Sequence, residues 1–234
     1  MTPSSTTKPI YVVIVAGGQG TRMGMALPKQ FLSIKGKPIL YYTIAAFLKA
    51  IPQAQLVVVL PEQELSKMQM VLAHFEAPIE LSLVVGGASR YESVQNGLKG
   101  LPEEAIILVH DGVRPFVRPQ LILACIAAAE QTGAAIPAIP VVDSVRVLSA
   151  HGSAPINRAL LRIVQTPQTF KGAILLPAFK QAYNTAFTDE ATVVESVGHA
   201  ISLVDGDKHN IKITTPEDLL LAENILSTWD NLEA

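Results

Sequence analysis

A glycine-rich stretch followed by basic residues lies near the start of the chain, at Ala16–Arg22 and Pro28–Gln30. Glycines let backbone N–H groups approach phosphate closely, arginine offers phosphate oxygens a planar fork, and lysine adds a point charge. The spacing is not G-x-G-x-x-G, because Met23 takes the third glycine position, and no Gly-Lys-Ser/Thr follows as in a Walker A loop. We therefore predict a polyphosphate site without a dinucleotide fold, with a tight turn and two solvated cations as the alternative.

Further polar residues follow other apolar runs. His110 and Asp111 come directly after Ala105–Val109, and Gly86 and Gly87 follow Leu81–Val85. An aspartate at the end of a strand can accept hydrogen bonds from ligand hydroxyls, but Asp-Gly is also a common turn pair, so a capping role for Asp111 stays open. We interpret His110 as a packed strand residue and not as a catalyst.

Two later segments carry polar residues whose local roles are open. Thr188–Glu190 has the pattern of a helix N-terminal capping box, and on local grounds we favour that role. Lys212 lies in a short apolar segment, Asn210–Ile213, which we predict to be a strand. A lone lysine among apolar residues is costly unless it reaches an anion, so we expect Lys212 to do so.

The elements that must position these residues form an α/β pattern. The chain has 234 residues, of which 49% are hydrophobic and 16% charged, and this balance excludes a disordered protein. Apolar runs that do not alternate with polar residues are typical of parallel strands covered on both faces. These runs are Ile10–Val15, Leu56–Leu60, Leu81–Val85, Ala105–Val109 and Ala134–Ile139, and the predicted helices between them are Pro38–Lys49, Glu62–Ala73, Arg90–Gly100 and Pro119–Thr132. The alternation predicts an α/β fold with a doubly wound, mostly parallel sheet.

The pattern changes near residue 140. Val141–Ser149 alternates as a half-exposed antiparallel strand, His151–Ser153 reads as a turn, and Ile163–Gln165 could be a returning strand. A hairpin outside the sheet cannot bury its own faces, so we predict a protruding β-arm at about 141–165 that packs on a second copy of the chain. The α/β pattern then resumes within a single domain, 1–234. Its predicted elements are helix Gly172–Ala186, helix Asp189–Val197, strand Ala200–Val204, strand Asn210–Ile213 and helix Pro216–Thr228.

Composition excludes several functional classes. The net charge of −2 is not the basic footprint of a nucleic-acid-binding protein. No apolar run reaches the roughly 20 residues of a membrane-spanning helix, and we see no signal peptide at the N-terminus. The single cysteine, Cys125, excludes an internal disulfide framework and is expected to be a buried thiol, which favours the cytoplasm.

The glycine-rich stretch and five later blocks together resemble a known enzyme family. Val15–Gln30 resembles the signature of nucleotidyltransferases that act on sugar or polyol phosphates, and Pro28–Phe31 is similar to the cytidylyltransferase branch. The later blocks are Gly86–Val94, His110–Pro115, Gln165–Gln168, Thr188–Ala191 and Asn210–Lys212. Over about residues 10–228, this order resembles the 2-C-methyl-D-erythritol 4-phosphate cytidylyltransferases of the non-mevalonate isoprenoid pathway.

The resemblance implies a Rossmann-like nucleotidyltransferase fold and a set of site residues. Catalytic roles would fall to Arg22, Lys29 and Lys212, nucleotide binding to Ala16, Gly17, Gly18, Gly20, Gly87 and Ser93, and polyol phosphate binding to Asp111, Arg114, Ser144, Arg158 and Thr188. In this reading Ser144 and Arg158 cross the interface of a homodimer. Arg90 would either touch substrate or fix the start of its helix.

The implied reaction needs no protein nucleophile. A phosphate oxygen of the polyol phosphate attacks the α-phosphorus of CTP in line, and pyrophosphate leaves. One Mg²⁺ would be held mainly by CTP phosphates, because no carboxylate cluster is evident. Two alternatives stay open: a ribitol-5-phosphate cytidylyltransferase, and a nucleotide-binding module without catalysis.

Overall fold

Among the residues that the computed structural model describes, 8–18 and 27–229, eight strands form one central sheet. The strands of the described chain are β1 (Ile10–Val15), β2 (Ser33–Ile34), β3 (Lys37–Pro38), β4 (Gln55–Leu60), β5 (Leu81–Val85), β6 (Ile106–Asp111), β7 (Ala134–Pro140), β8 (Val145–Ser149), β9 (Gly152–Ile156), β10 (Arg162–Val164), β11 (Gln168–Lys171) and β12 (Ser202–Asp205). The α-helices are α1 (Ile39–Ala50), α2 (Met68–Leu72), α3 (Arg90–Gly97), α4 (Pro119–Thr132), α5 (Gly172–Ala178), α6 (Glu190–Glu195) and α7 (Pro216–Ser227).

The sheet is mostly parallel. Strands β5, β4, β1 and β6 are neighbours in that order and run parallel to one another. Strand β11 lies antiparallel between β6 and β7, while β12 pairs in parallel with β7. The predicted fold class is therefore confirmed, with β10 and β11 as the antiparallel exceptions.

The central strands β1, β4 and β6 are covered on both faces, which explains their uninterrupted apolar runs. In β1, Val12 and Ile14 face a core cluster that also contains Leu40 of α1 and Ile122 of α4. Val13, between them, faces a second cluster that contains Val94 of α3. Because neighbouring residues of a strand point to opposite faces, a strand buried on both faces has no polar position.

Several predicted helix boundaries were wrong. The segment Glu62–Ala73 is a 3₁₀ helix, Glu62–Lys67, followed by the short α2. Helix α3 ends at Gly97 and α5 at Ala178, each earlier than predicted. Helix α4 matches its predicted bounds, with Pro119 in the first turn.

The hairpin predicted near residue 140 uses a different pairing. Strand β8 covers only the second half of the predicted strand, and its partner is β9, from Ser149↔Gly152 to Val145↔Ile156. The segment predicted to return along the hairpin is β10, which pairs with β7 of the central sheet. The local alternation indicated a hairpin but could not identify the strand that completes it.

The predicted strand Asn210–Ile213 is not a strand. The amide of Asn210 donates to Asp207 O at 3.0 Å, which makes a turn. The amide of Ile213 donates to Val113 O at 2.9 Å. Lys212 is thus carried by an extended loop that is attached near the end of β6.

Cys125 is buried in α4, as expected, and burial raises the pKa of its thiol to about 12. None of the helices in the described ranges has the length and apolarity needed to cross a membrane.

Candidate active site

A cavity of about 200 Å³ lies where β1 and β6 end. This is the carboxyl-terminal edge of the parallel sheet, where α/β folds bind ligands. Of the residues predicted from the sequence, the cavity brings together Ala16, Gly17, Gly18, Lys29, Gly87, Ser93, Asp111 and Lys212. Gly20 and Arg22 lie outside the described residues.

The glycine loop and Lys29 meet at one wall of this cavity. A Cβ added to Gly18 would lie 3.0 Å from Lys29 Cε, so the lysine stem runs directly past the loop backbone. Lys29 opens a short 3₁₀ turn, Lys29–Phe31, which is anchored by the buried Phe31. The glycine-rich loop and Lys29, which the sequence predicts to act together, therefore lie side by side in the structure.

The opposite wall is a second glycine loop that Ser93 holds in place. The Ser93 hydroxyl accepts a hydrogen bond from Gly87 N at 3.1 Å and donates one to Ser89 O at 2.9 Å. A Cβ on Gly87 would approach Glu92 Cβ to 2.3 Å, so this position requires glycine. Ser89 and Glu92 form the capping box of α3.

Three cations surround the carboxylate of Asp111 at the floor of the site. Asp111 Oδ1 lies 3.4 Å from Arg90 Nη2, and Oδ2 lies 3.2 Å from Arg114 Nε and 3.1 Å from Lys212 Nζ. Burial by itself would raise the pKa of Asp111, but Arg90, Lys212 and Arg114 outweigh it and hold the pKa well below the usual range of aspartate. Asp111 is therefore an ionised hydrogen-bond acceptor at any physiological pH. Its carboxylate pairs with three cations, so its role is not limited to capping a turn.

Arg90 both lines the cavity and anchors a helix. Its two terminal nitrogens pair with both carboxylate oxygens of Glu190, with Nη2 at 3.1 Å from Oε2 and the other pair, Nη1 and Oε1, also in contact. Burial alone would lower the pKa of Arg90, but the charge of Glu190 and then that of Asp111 raise it. The open question about Arg90 is thus answered in part, since it ties α3 to α6.

A buried network under the site fixes Asp111 and Arg114. The Thr166 hydroxyl accepts from Asp111 N at 3.1 Å, and it lies 2.9 Å from His110 Nδ1. His110 Nε2 lies 3.0 Å from Arg114 O, and because a carbonyl can only accept, this nitrogen carries a proton. Burial lowers the pKa of His110 to about 4, so the ring is neutral and Thr166 donates to Nδ1.

The loop that carries Lys212 is held by the same network. Arg114 Nη1 donates to Asn210 O at 2.8 Å, and Asn210 Nδ2 donates to Thr166 O at 2.8 Å. Gln165 Nε2 donates to Asp207 O, also at 2.8 Å. The Gln165 side chain and the Thr166 backbone carbonyl thus hold the loop that carries Lys212, a role that the sequence analysis did not assign to the Gln165–Gln168 block.

The remaining predicted residues lie apart from this cavity. Thr188 is exposed and precedes Asp189, whose carboxylate caps α6 by accepting from Thr192 N at 2.9 Å. Ser144 and Arg158 are exposed in the segment after β7, and Arg158 Nη1 contacts Val142 O. Within the single chain they do not meet the cavity.

Glu190 is the main residue that the sequence analysis missed. We expected it to serve only the start of a helix, yet it is 1% exposed and paired with Arg90. The sequence held a sign of this further role, because Asp189 alone suffices to cap the helix and the adjacent carboxylate of Glu190 is not needed for capping.

The comparisons with known proteins agree with this geometry. The model of the 2-C-methyl-D-erythritol 4-phosphate cytidylyltransferase family, IspD, matches residues 10–228. The chain belongs to this family. A 2-C-methyl-D-erythritol 4-phosphate cytidylyltransferase of Phocaeicola vulgatus is 43% identical over 216 residues, which cover 92% of this chain and 99% of that protein. The counterpart of Bacteroides thetaiotaomicron is 42% identical over 215 residues, covering 92% and 98%.

Solved structures of IspD proteins share the fold. The 4-diphosphocytidyl-2C-methyl-D-erythritol synthase of Anaerococcus prevotii has a TM-score of 0.80 at 26% identity, and the alignment covers 94% of this chain and 96% of that one. The 2-C-methyl-D-erythritol 4-phosphate cytidylyltransferase of Thermus thermophilus has a TM-score of 0.71 at 31% identity, covering 92% and 98%. As an IspD family member, the chain is a nucleotidyltransferase of the cytidylyl-transferring type.

Proposed function

We propose that this IspD family member transfers CMP from CTP to 2-C-methyl-D-erythritol 4-phosphate, forming CDP-methylerythritol and pyrophosphate. The observation that carries the proposal is the convergence of two glycine loops with Lys29, Lys212 and Asp111 on one cavity at the ligand edge of the sheet. The family comparison supplies the substrate class, since the matched relatives are named for this reaction.

The charges around the cavity suit two anionic substrates. Lys29, Arg90 and Lys212 line it together with Asp111. Arg114 adds a positive charge in contact with Asp111, and Glu190 adds a negative charge in contact with Arg90, so positive charge remains in excess around the cavity. Two phosphate-bearing substrates repel each other, and placed cations offset this repulsion in a cavity partly shielded from water.

The chemical step then depends on positioning and charge. An oxygen of the polyol phosphate forms a bond to the α-phosphorus of CTP, the bond from that phosphorus to the bridging oxygen breaks, and pyrophosphate carries the electron pair away. The attacking oxygen is already anionic, so no general base is needed. The neutral, buried His110 serves the scaffold in this scheme, and Lys29, Lys212 and Arg22 stabilise the developing charge.

The polyol side of the site centres on Asp111. Its ionised carboxylate is suited to accept hydrogen bonds from substrate hydroxyls, and Arg114 holds it in place at 3.2 Å. Thr188 directly precedes Asp189, the N-cap of the helix that bears Glu190, and it does not line the cavity. The contact with the substrate phosphate that we propose for Thr188 rests on the family resemblance alone.

A divalent cation fits the chemistry of the nucleotide better than that of the protein side chains. In residues 8–18 and 27–229, no three His, Cys, Asp or Glu side chains cluster as a metal site. Among the described residues that line the cavity, Asp111 is the carboxylate, and three cations already offset its negative charge. Mg²⁺ would therefore be held mainly by CTP phosphates and water. We expect chelation to abolish turnover without lowering the melting temperature of the ligand-free protein.

We also assign the β8–β9 hairpin and the following turn to a homodimer interface. This segment exposes Val147, Leu148 and Leu160, of which the last two are 82% and 79% exposed. Apolar side chains this exposed favour a protein partner, and a second copy would bring Ser144 and Arg158 to the polyol phosphate of its neighbour. A chain with one buried thiol suits the reducing cytoplasm, which is the proposed location.

The direct test is pyrophosphate release from CTP with two acceptors in parallel. We expect release with 2-C-methyl-D-erythritol 4-phosphate and at least tenfold lower kcat/KM with ribitol 5-phosphate. Preference for ribitol 5-phosphate would assign the alternative substrate. Binding of CTP without release of its pyrophosphate in the presence of either acceptor would leave a nucleotide-binding module and overturn the proposed reaction.

A further inference from the structure

Glu190 is a buried carboxylate that the proposed mechanism does not use. Its side chain is 1% exposed, and it does not line the cavity. A buried charge is costly unless it is paired, and its partner here is Arg90. The helix start does not need Glu190, because Asp189 already caps α6.

The geometry of Arg90 shows what this pairing controls. A guanidinium group presents its donors in one plane, so a bidentate partner fixes the orientation of the whole group. Glu190 takes one donor from each terminal nitrogen, which leaves Nη2 to reach Asp111 Oδ1 at 3.4 Å. The second oxygen of Asp111 is then available to Arg114 and Lys212.

We propose that Glu190 is a positioning residue that restrains Arg90. As a result, one carboxylate oxygen of Asp111 pairs with Arg90 of α3 and the other pairs with Lys212. Without the charge of Glu190, the fork of Arg90 would be released to engage both oxygens of Asp111 and compete with Lys212. Glu190 acts on the polyol side of the site without touching substrate. This inference rests on the proposed function, because it takes Asp111 as the acceptor for the polyol.

The position of α6 supports this role, because the helix start is anchored to the sheet independently of Glu190. Gln168 in β11 accepts from Ala191 N at 2.9 Å and donates to Asp189 Oδ2 at 2.9 Å. The carboxylate of Glu190 is therefore presented to Arg90 from a fixed backbone, and the ion pair is available to orient Arg90.

The test compares Glu190→Gln with Glu195→Gln. Glu195 lies at the exposed end of the same helix, so its variant removes the same charge without touching Arg90. For Glu190→Gln we expect kcat/KM for the polyol phosphate to fall about tenfold or more, as when a buried charge-assisted hydrogen bond is lost. The Kd for CTP, measured by calorimetry without the second substrate, should stay within about threefold, and Glu195→Gln should match wild type.

A double variant separates positioning from loss of structure. If Glu190 acts through Arg90, then Glu190→Gln combined with Arg90→Met should lose no more activity than the worse single variant. The double variant also removes both members of the buried ion pair, so neither charge is left unpaired. The separate variant Glu190→Asp keeps the negative charge, so it should be more active than Glu190→Gln.

Three results would overturn the inference: a Glu190→Gln enzyme as active as the Glu195→Gln control, losses that multiply in the double variant, or a parallel loss of CTP affinity. Failure of the proposed function is distinguishable, because wild-type protein would then release no pyrophosphate.

Discussion

The ammonium of Lys212 lies 3.1 Å from the carboxylate of Asp111, although the two residues come from distant parts of the chain. Asp111 ends β6, and Lys212 is carried by the loop that the Arg114 and Asn210 side chains and the Thr166 backbone carbonyl hold against that strand. The ion pair joins the two predicted halves of the site, the polyol acceptor and a cation of the reacting centre. Under the proposed function, a substrate phosphate that enters here would meet a lysine that Asp111 already orients.

Replacing Lys212 with alanine should therefore reduce turnover by about 100-fold, the typical loss of one preorganised charge donor. Lys208→Ala is the matched control, because Lys208 is an exposed lysine of the same loop. We expect its steady-state kcat to stay within twofold of wild type. Equal activities of the two variants would remove Lys212 from the reacting centre.

Lys29→Ala should have a comparable effect through the triphosphate of CTP. Lys29 runs along the Gly18 backbone, so its loss removes a charge from the cradle without changing the sheet. We expect about 100-fold slower turnover, and the sequence predicts the same for Arg22→Ala. Lys35→Ala, at an exposed turn, is the control in the same pyrophosphate assay, and near-wild-type turnover of Lys29→Ala would contradict the assignment.

His110 should make the protein less stable in acid. Its pKa is lowered to about 4 in the folded state, from about 6.5 when unfolded, so the unfolded chain binds the extra proton between these values. Stability is then lost as the pH falls from about 6.5 to about 4, by up to about 3 kcal/mol from this group. Asp111 adds little in that window, because the pKa of its carboxyl lies lower in both states.

Urea unfolding of wild type and His110→Asn across this pH range measures the contribution. The variant should be less stable at neutral pH and show a shallower pH dependence, because it lacks the group that charges. Parallel pH profiles of the two proteins would show that His110 does not titrate on unfolding.

The β8–β9 segment should control assembly. Leu148→Asp combined with Leu160→Asp is expected to convert a dimer into monomers in light scattering after size exclusion, because both leucines are highly exposed in the single chain. Leu220→Asp, which alters a 64% exposed leucine of α7, should leave the dimer intact. Dimers that survive the double substitution would place the interface elsewhere.

Subunit mixing tests whether Arg158 acts across the interface. Arg158→Ala and Lys212→Ala proteins should each be weakly active alone. After random reassociation of the two, half of the dimers carry one intact composite site, so about a quarter of wild-type activity should return if the interface is isologous and Arg158 acts in trans. No recovery would mean that Arg158 serves its own subunit.

Local sequence pattern was enough to determine the parallel sheet and the position of the site. Uninterrupted apolar runs are typical of strands covered on both faces, as β1 and β6 are, and the glycines and Asp111 follow such runs directly, so their place at the carboxyl edge was predictable. The start of α4 follows in the same way from Pro119 in its first turn, and the start of α7 from Thr215 as its N-cap.

Only the tertiary structure decided the pairings between distant segments. Neither the pairing of β9 with β8 nor that of β10 with β7 could be chosen from alternation, because both segments are short and a strand pattern does not name its partner. The same holds for Glu190, whose local pattern is that of a helix start and whose burial against Arg90 depends on how α6 docks beside α3. The sequence alone determined which groups could bind phosphate, and the packing of β6, α3, α6 and the Lys212 loop determined how those groups restrain one another.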